Sequence, residues 1–217
     1  MRTSILPIGL LLCVAVSSRG QDIPPDEARK QLVEALGGPF VVYRDKVLEE
    51  LKISDDQKQT LMEKFREHVE ATSKVFDKIK DLKPNERDKE MQKHRKASDE
   101  KLSAALKEVL DDKQRTRLFQ IQLQQAGPFA LLGEHELFVP MKMTAEQRKQ
   151  FEEVVRDMQK KIEPLAKEAQ SGGNPEEIRP KAMKIRQEHS EKIVAQLTKD
   201  QKEKWKEILG KPFELGD

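Results

Sequence analysis

The sequence predicts an all-α protein made of tandem-duplicated long helical hairpins with short capping helices. A five-residue pattern occurs four times: an apolar residue, then Ser, Thr or Asp, two mostly polar residues and a glutamine. Lys or Arg follows each glutamine, and an apolar residue lies four places after it. No stretch alternates apolar and polar residues between hairpin turns, so no β-sheet is predicted. The four copies are Ile53–Gln57, Leu110–Gln114, Met143–Gln147 and Leu197–Gln201.

Each copy of the pattern has the sequence of a helix start. An N-cap Ser, Thr or Asp accepts a hydrogen bond from the first helical turn, and a Gln three residues later reaches back to the N–H of the cap. We therefore predict structural helix caps rather than ligand-binding residues at these positions. The predicted pairs are Ser54 with Gln57, Asp111 with Gln114, Thr144 with Gln147, and Thr198 with Gln201.

The spacing of the copies predicts an internal duplication. The glutamines lie 57 residues apart in the first pair and 54 in the second, and corresponding glutamines are 90 and 87 residues apart. Gly38-Pro39-Phe40 and Gly127-Pro128-Phe129 precede the two halves, and Gly210 to Phe213 closes the chain. A repeat on this scale is typical of a duplicated supersecondary unit. The predicted organisation is a signal peptide (1–20), short helices (21–52), a first hairpin unit (53–133) and a second (134–217).

The N-terminus predicts export to the periplasm or the extracellular space. Arg2 precedes an apolar stretch from Ile5 to Val16, and small residues follow it. This stretch is too short for a permanent transmembrane helix, so no stable membrane insertion is expected after its removal. Cys13 is the one cysteine and lies inside it, which argues against disulfides or a thiolate nucleophile in the mature chain.

The composition argues against a nucleic-acid partner and against a deep pocket. Subtracting Arg2 and Arg19 from the 41 basic residues leaves 39, equal to the 39 acidic residues. Charged residues make up 37% of the chain and aromatic residues 5%. Nucleic-acid binders usually carry a basic excess, whereas interleaved charges are typical of long exposed helices with one apolar stripe.

The first half predicts two short helices, over 26–36 and 41–51, followed by a hairpin. The first long helix starts at Ser54 and ends at Lys83-Pro84-Asn85, with a return helix over 86–110 and a shorter third helix. Spacings of three, four and seven predict the inward residues of the first helix: Met62, Phe65, Val69, Phe76 and Ile79. For the later helices they are Met91, Leu102, Ala105, Val109, Leu118, Phe119, Ile121 and Leu123.

The second half repeats this plan. A helix from Thr144 ends at the turn Ser171 to Pro175, and Pro180 indicates that the regular part of the return helix starts later. Thr198 opens the last helix. The predicted inward residues are Phe151, Val155, Met158, Ile162, Leu165, Ala169, Ile178, Ala182, Ile185, Ile193, Leu197, Trp205, Ile208 and Leu209.

An apolar connector, Ala130 to Pro140, lies between the halves. It contains Leu131, Leu132, Leu137, Phe138 and Val139 with little polar cover. We expect it to fill the core of its own chain, and docking of a partner is the alternative.

The sequence predicts neither a catalytic site nor a cofactor. His68, His94, His135 and His189 lack the spacing of HExxH, Cys-His or nucleophile-elbow motifs. Glu90 and His94 share a helix face, but a tight metal site needs three or four ligands. A site gathered from His68, His135 and His189 on different helices stays open.

A basic residue in the first helical turn is unexpected, because it faces the positive end of the helix dipole. We interpret these residues as ion-paired with acidic neighbours such as Asp55 or Glu146, and an exposed anion-binding surface is the alternative. The residues are Lys58, Arg115, Arg148 and Lys202.

The copies Met143–Gln147 and Leu197–Gln201 resemble the LTxxQ motif of the Spy/CpxP-like family of exported helical proteins. Ser54 and Asp111 stand at the Thr position of the other two copies, and both can act as caps. The resemblance extends over most of the mature chain as two family-like units. It implies an ATP-independent envelope chaperone or stress-response protein with cradle-like hairpins, often dimeric. Some relatives sense metals or regulate a kinase.

Two hypotheses of function result. The first is a non-enzymatic exported holdase that binds unfolded proteins weakly through apolar patches framed by mixed charge. The second is a structural or adaptor module whose connector, Leu131 to Val139, docks one specific partner protein, and metal-responsive sensing is a third. Two units in one chain predict a monomer that packs as a pseudo-dimer, with a homodimer as the alternative.

Overall fold

The computed structural model describes Val33, residues 37–133 and residues 135–215 of the 217-residue chain. Within these residues the regular structure is helical and no strand occurs, which confirms the predicted all-α class. The described chain separates into two compact units, consisting mainly of residues 37–119 and residues 120–214. The predicted signal peptide and, apart from Val33, the predicted helix over 26–36 lie outside the described residues. The tandem duplication stays a prediction.

The first unit is a long helical hairpin preceded by two short helical pieces. A 3₁₀ helix, Gly38–Tyr43, leads into α1 (Asp45–Glu50), and the hairpin consists of α2 (Asp55–Ile79) and α3 (Pro84–Val109). A further helix, α4 (Asp112–Ala126), starts in this unit and ends in the second.

The single helix predicted over 41–51 is therefore wrong. Arg44 has extended backbone between the 3₁₀ helix and α1, with φ −79° and ψ 134°. The β-branched and aromatic residues just before it, Val41 to Tyr43, are poor helix formers, and all three are buried. The predicted end of α2 at Lys83 is also late, because the helix ends at Ile79.

The core of the first unit lies between α2 and α3, which run antiparallel. Leu61 and Phe65 of α2 are buried, as are Leu102 and Leu106 of α3. Tyr43 packs on Phe65 with ring centroids 4.8 Å apart, so the 3₁₀ helix covers part of the same core. Two of the predicted inward residues of α2 are instead exposed, namely Val69 and Phe76.

The second unit repeats the order of short pieces followed by a hairpin. The 3₁₀ helices Gly127–Leu132 and Glu136–Met141 precede α5 (Ala145–Gln170), α6 (Pro175–Ala195) and α7 (Lys199–Leu209). The later start predicted for α6 is wrong. Asn174 caps the helix by accepting from the N–H of Glu176, and Pro180 is accommodated within it.

The core of the second unit combines the hairpin with the connector. Phe151, Val155 and Met158 of α5 and Ile178, Ala182 and Ile193 of α6 are buried, as predicted. The connector residues Leu131 and Phe138 are buried, and the ring of Phe138 lies 6.2 Å from that of Trp205. These two residues fill the core of their own chain, whereas Val139 is exposed.

None of the described helices is both long enough and apolar enough to span a bilayer.

Candidate functional site

Two glutamines join the helix starts at the open end of the first hairpin. Ser54 Oγ accepts from the N–H of Gln57, and Gln57 Oε1 accepts from the N–H of Ser54. Asp111 and Gln114 make the same two bonds at the start of α4. In addition, Nε2 of Gln57 donates to Oε1 of Gln114 at 2.8 Å, and Nε2 of Gln114 donates to Oε1 of Gln57 at 3.1 Å.

The second unit contains an equivalent pair. Thr144 with Gln147 and Thr198 with Gln201 form reciprocal capping bonds at the starts of α5 and α7. Nε2 of Gln147 donates to Oε1 of Gln201 at 2.8 Å, and the return bond from Gln201 is 3.0 Å. We call Gln57/Gln114 and Gln147/Gln201 the glutamine pairs.

Every carboxamide in the glutamine pairs has its hydrogen-bonding capacity filled by the protein. The second N–H of each Nε2 donates to a backbone oxygen that precedes the partner cap. The acceptors are Val109, Leu51, Gln196 and Met141, for Gln57, Gln114, Gln147 and Gln201 respectively. Because an intramolecular hydrogen bond contributes about 1 kcal/mol, each pair is a substantial structural anchor.

Sequence analysis assigned these glutamines to separate capping boxes and missed that they pair. The signal was present, because a capping box accepts Glu as readily as Gln at this position. Glutamine in all four copies indicates a need for the amide N–H donors, which a carboxylate lacks.

Arg115 explains how one basic residue is tolerated in a first helical turn. Its Nη1 donates to the backbone oxygens of Leu110 and of Lys107, the latter at 3.2 Å, and its Nη2 pairs with Asp112. The guanidinium thus stabilises the carbonyl end of α3 while it lies at the start of α4. Among the described residues, the acidic partner found for the predicted basic set is Asp112, rather than Asp55 or Glu146.

A cluster of four polar side chains lies inside the first hairpin: His68 and Thr72 of α2 with His94 and Ser98 of α3. The hydroxyl of Thr72 donates to the backbone oxygen of His68 at 2.8 Å. Its oxygen therefore accepts from Nε2 of His94 at 3.0 Å and faces Nε2 of His68 at 3.3 Å. Ser98 Oγ lies 2.7 Å from Nδ1 of His68 and can donate to it. We call these residues the histidine cluster.

The histidine cluster is built for neutral imidazole rings. Burial, and secondly the neighbouring His94, lower the pKa of His68 from 6.5 to about 4. Burial and then Lys101 lower the pKa of His94. The two rings are nearly parallel with centroids 6.1 Å apart, so two positive charges would repel each other at this distance.

The second unit holds a histidine in a contrasting environment. His189 is fully buried in α6, with Nδ1 2.6 Å from the backbone oxygen of Ile185 and Nε2 2.9 Å from Oδ2 of Asp157. Both ring nitrogens thus face oxygen acceptors. Hydrogen bonds from His189 and then Lys161 hold the pKa of Asp157 far below its usual value.

The three histidines that the sequence left open as metal ligands each have other neighbours within their own unit. His68 lies beside His94, the ring of His135 lies 5.8 Å from that of Phe138, and His189 pairs with Asp157. The described part of the chain contains no group of three or more His, Cys, Asp or Glu residues arranged to hold a metal ion.

Among the residues that the structure describes, four large apolar side chains are exposed. Val69 and Phe76, with 38% and 44% of their surface accessible, are seven residues apart and share one face of α2. Met183 on α6 and Val139 in the connector are 69% and 74% accessible. These side chains can contact another protein without any rearrangement.

Comparison with known proteins identified no relative. The chain matches no family model, no curated protein and no solved structure.

Proposed function

We propose that this protein is a non-enzymatic, exported holdase that binds unfolded protein chains reversibly through exposed apolar side chains. The observation that carries the proposal is the exposed pair Val69 and Phe76 on one face of α2. Exposed Glu70, Asp77 and Lys80 lie close to this pair in sequence, so the apolar surface is framed by charges of both signs.

The size of this surface fits weak and reversible binding. Complete burial of a valine or phenylalanine side chain contributes about 1.5–3 kcal/mol. Since Val69 and Phe76 already hide more than half of their surface, each would add about 1 kcal/mol on binding. Several such contacts together bind an unfolded chain and still allow it to dissociate. They need neither a nucleotide nor a metal.

The resemblance of two of the four copies, Met143–Gln147 and Leu197–Gln201, to the LTxxQ motif supports the same proposal. We propose that the chain is a Spy/CpxP-like protein with two family-like units, and that it works in the periplasm or outside the cell. The glutamine pairs would then hold the hairpins together, and the exposed face of α2 would contact the client.

The adaptor alternative receives less support from the connector. Its docking surface would need the apolar connector side chains to be accessible, but Leu131 and Phe138 are buried and Leu132 is half-buried. Of the connector side chains that the structure describes, the exposed Val139 offers little area for a specific partner.

Suppression of aggregation tests the proposal. Chemically denatured citrate synthase is diluted into buffer with near-stoichiometric amounts of the protein, and light scattering is followed. We expect the unmodified protein to reduce scattering and the Val69→Ser/Phe76→Ser variant to be several-fold less effective. Val139→Ser is the matched control, since it removes an exposed apolar side chain outside the α2 face. Equal activity of both variants, or no suppression at any salt concentration, would contradict the proposal.

A further inference from the structure

We infer that the histidine cluster is a pH-dependent switch. Protonation of its histidine rings separates the middle of α2 from α3 and enlarges the exposed apolar surface around Val69 and Phe76. The inference concerns regulation, and its link to client capture rests on the proposed function. The opening itself is a separate event that can be measured without a client.

The position of the cluster makes it suited to this role. Gln57 and Gln114 secure the open end of the hairpin, and Leu102 and Leu106 pack near that end. The cluster lies further toward the turn, where α2 and α3 meet through hydroxyl and imidazole groups. His68 directly precedes Val69 in sequence, and Thr72 lies between Val69 and Phe76.

One hydrogen bond in the cluster depends on the neutral state of a ring. Ser98 can donate to Nδ1 of His68 only while that nitrogen carries no hydrogen. Protonation of His68 therefore turns this 2.7 Å contact into one between two donors, unless Ser98 rotates its hydroxyl. Protonation of both rings adds repulsion across 6.1 Å.

Among the described residues, no carboxylate is hydrogen-bonded to His68 or His94, whereas Asp157 is hydrogen-bonded to His189. From α3, Lys101 acts on His94 with a repulsive charge, and Asp99 is itself partly buried next to Arg95, with its pKa raised by that burial. From α2, Glu67 acts on Tyr43 of the 3₁₀ helix, and Phe40 of the same helix presents an aromatic ring to His68 at 4.5 Å.

The second unit differs from the first at the positions of the cluster. Counted from the four glutamine-bearing caps, the residues that correspond to His68, Thr72 and Ser98 are the apolar Met158, Ile162 and Ile185, whereas His94 corresponds to Lys181. The pair of imidazole rings in the first hairpin therefore has no counterpart at these positions of α5 and α6.

The expected change in the opening equilibrium follows from the lowered pKa of His68. If the pKa of His68 is about 4 in the closed hairpin and 6.5 in the open one, lowering the pH to about 5 favours the open form by at most about 30-fold. Protonation of His94 acts in the same direction, since burial lowers its pKa also.

Distance measurement between spin labels tests the opening. Lys74→Cys on α2 and Lys89→Cys on α3 replace exposed residues and are labelled in the full protein with Cys13→Ser, which removes the one other cysteine. We expect the distance distribution to broaden toward longer values between about pH 7.5 and about pH 5. The His68→Gln/His94→Gln variant keeps polar side chains that do not titrate, and its distribution should stay unchanged. In the control variant His189→Gln, the α2–α3 distance should still respond to pH.

Client capture is then measured at the same two pH values by binding of a fluorescently labelled, permanently unfolded chain. Opening in the unmodified protein with a several-fold gain in capture, both lost in the double glutamine variant, supports the inference. A distance that does not change with pH, or that changes equally in the double variant, overturns it even if capture persists. Opening without any gain in capture overturns the regulatory link, and absence of capture at both pH values counts against the proposed function itself.

The double variant could lose helicity at neutral pH, and His94→Gln alone then replaces it. The single variant should show a reduced response of the α2–α3 distance to pH, and an undiminished response overturns the inference.

Discussion

Gln57 and Gln114 exchange hydrogen bonds through their carboxamides, with donor–acceptor distances of 2.8 and 3.1 Å, although 57 residues separate them in the chain. Each glutamine also accepts from the N–H of its own helix cap and donates to a backbone oxygen near the other cap. The start of α2 and the start of α4 are therefore held by one closed set of bonds. Gln147 and Gln201 form the same set in the second unit.

Replacing Gln201 by glutamate should destabilise the second unit by about 2–3 kcal/mol. The change preserves size but exchanges two N–H donors for an oxygen that faces the backbone oxygen of Met141 and Oε1 of Gln147. Urea unfolding followed by fluorescence of Trp205, the one tryptophan, measures the change. Gln187→Ala, at an exposed position of α6, should shift the free energy of unfolding by less than about 0.5 kcal/mol. Equal effects of the two variants would contradict the role given to the glutamine pairs.

Replacing Thr144 by alanine should cost about 1 kcal/mol, because the N–H of Gln147 loses its acceptor at the start of α5. Thr144→Ser keeps the acceptor oxygen and should retain most of the stability. The same urea titration compares the two variants. A cost for serine as large as that for alanine would show that the methyl group, rather than the cap, is responsible.

The hydrogen bonds that Asp157 accepts from His189 and Lys161 predict a loss of stability in acid. The pKa of Asp157 is lower in the folded protein than its ordinary 3.8, so the unfolded chain binds the proton more readily. The stabilisation is therefore present above about pH 4 and is lost as the pH falls below that value. We expect the urea midpoint to fall less between about pH 6 and about pH 3 in Asp157→Asn than in the unmodified protein. Glu152→Gln, an exposed change on the same helix, should leave the fall as it is.

The turn between α5 and α6 predicts different costs for two adjacent glycines. A Cβ at Gly173 would lie 2.8 Å from the backbone oxygen of Glu168 and 2.9 Å from Cδ1 of Ile178. A Cβ at Gly172 meets nothing within 4 Å, although its φ of +89° strains any other residue. We expect Gly173→Ala to destabilise by about 2–3 kcal/mol and Gly172→Ala by about 1 kcal/mol. Thermal unfolding by circular dichroism measures both, and a reversed order would contradict the packing described for this turn.

The helix starts were the part of the fold most accessible to sequence analysis. Helices α2, α5 and α7 begin directly after Ser54, Thr144 and Thr198, because a cap acts on groups within one helical turn. The errors arose at residues whose local preference was misjudged. Val41 to Tyr43, which are poor α-helix formers, lie in a 3₁₀ helix, and α6 starts at its Asn174 cap and continues through Pro180.

The candidate site was less predictable, since it depends on the register between helices. The sequence placed Glu90 and His94 on one helix face but predicted no contact of His94 with α2. Its neighbours Thr72 and His68 are 22 and 26 residues away, and only the turn after α2 fixes which residues meet. Likewise, spacing alone cannot tell that Val69 and Phe76 stay accessible, because a two-helix hairpin covers only part of each apolar stripe.

Every hydrogen-bonding group of the four carboxamides has a partner, and this constrains how these positions can change during evolution. If one carboxamide is exchanged, its partner loses a donor and an acceptor at once, so a tolerated change must involve both positions in the same lineage. In homologous sequences, position 57 should covary with position 114, and position 147 with position 201. The two pairs should vary independently of each other.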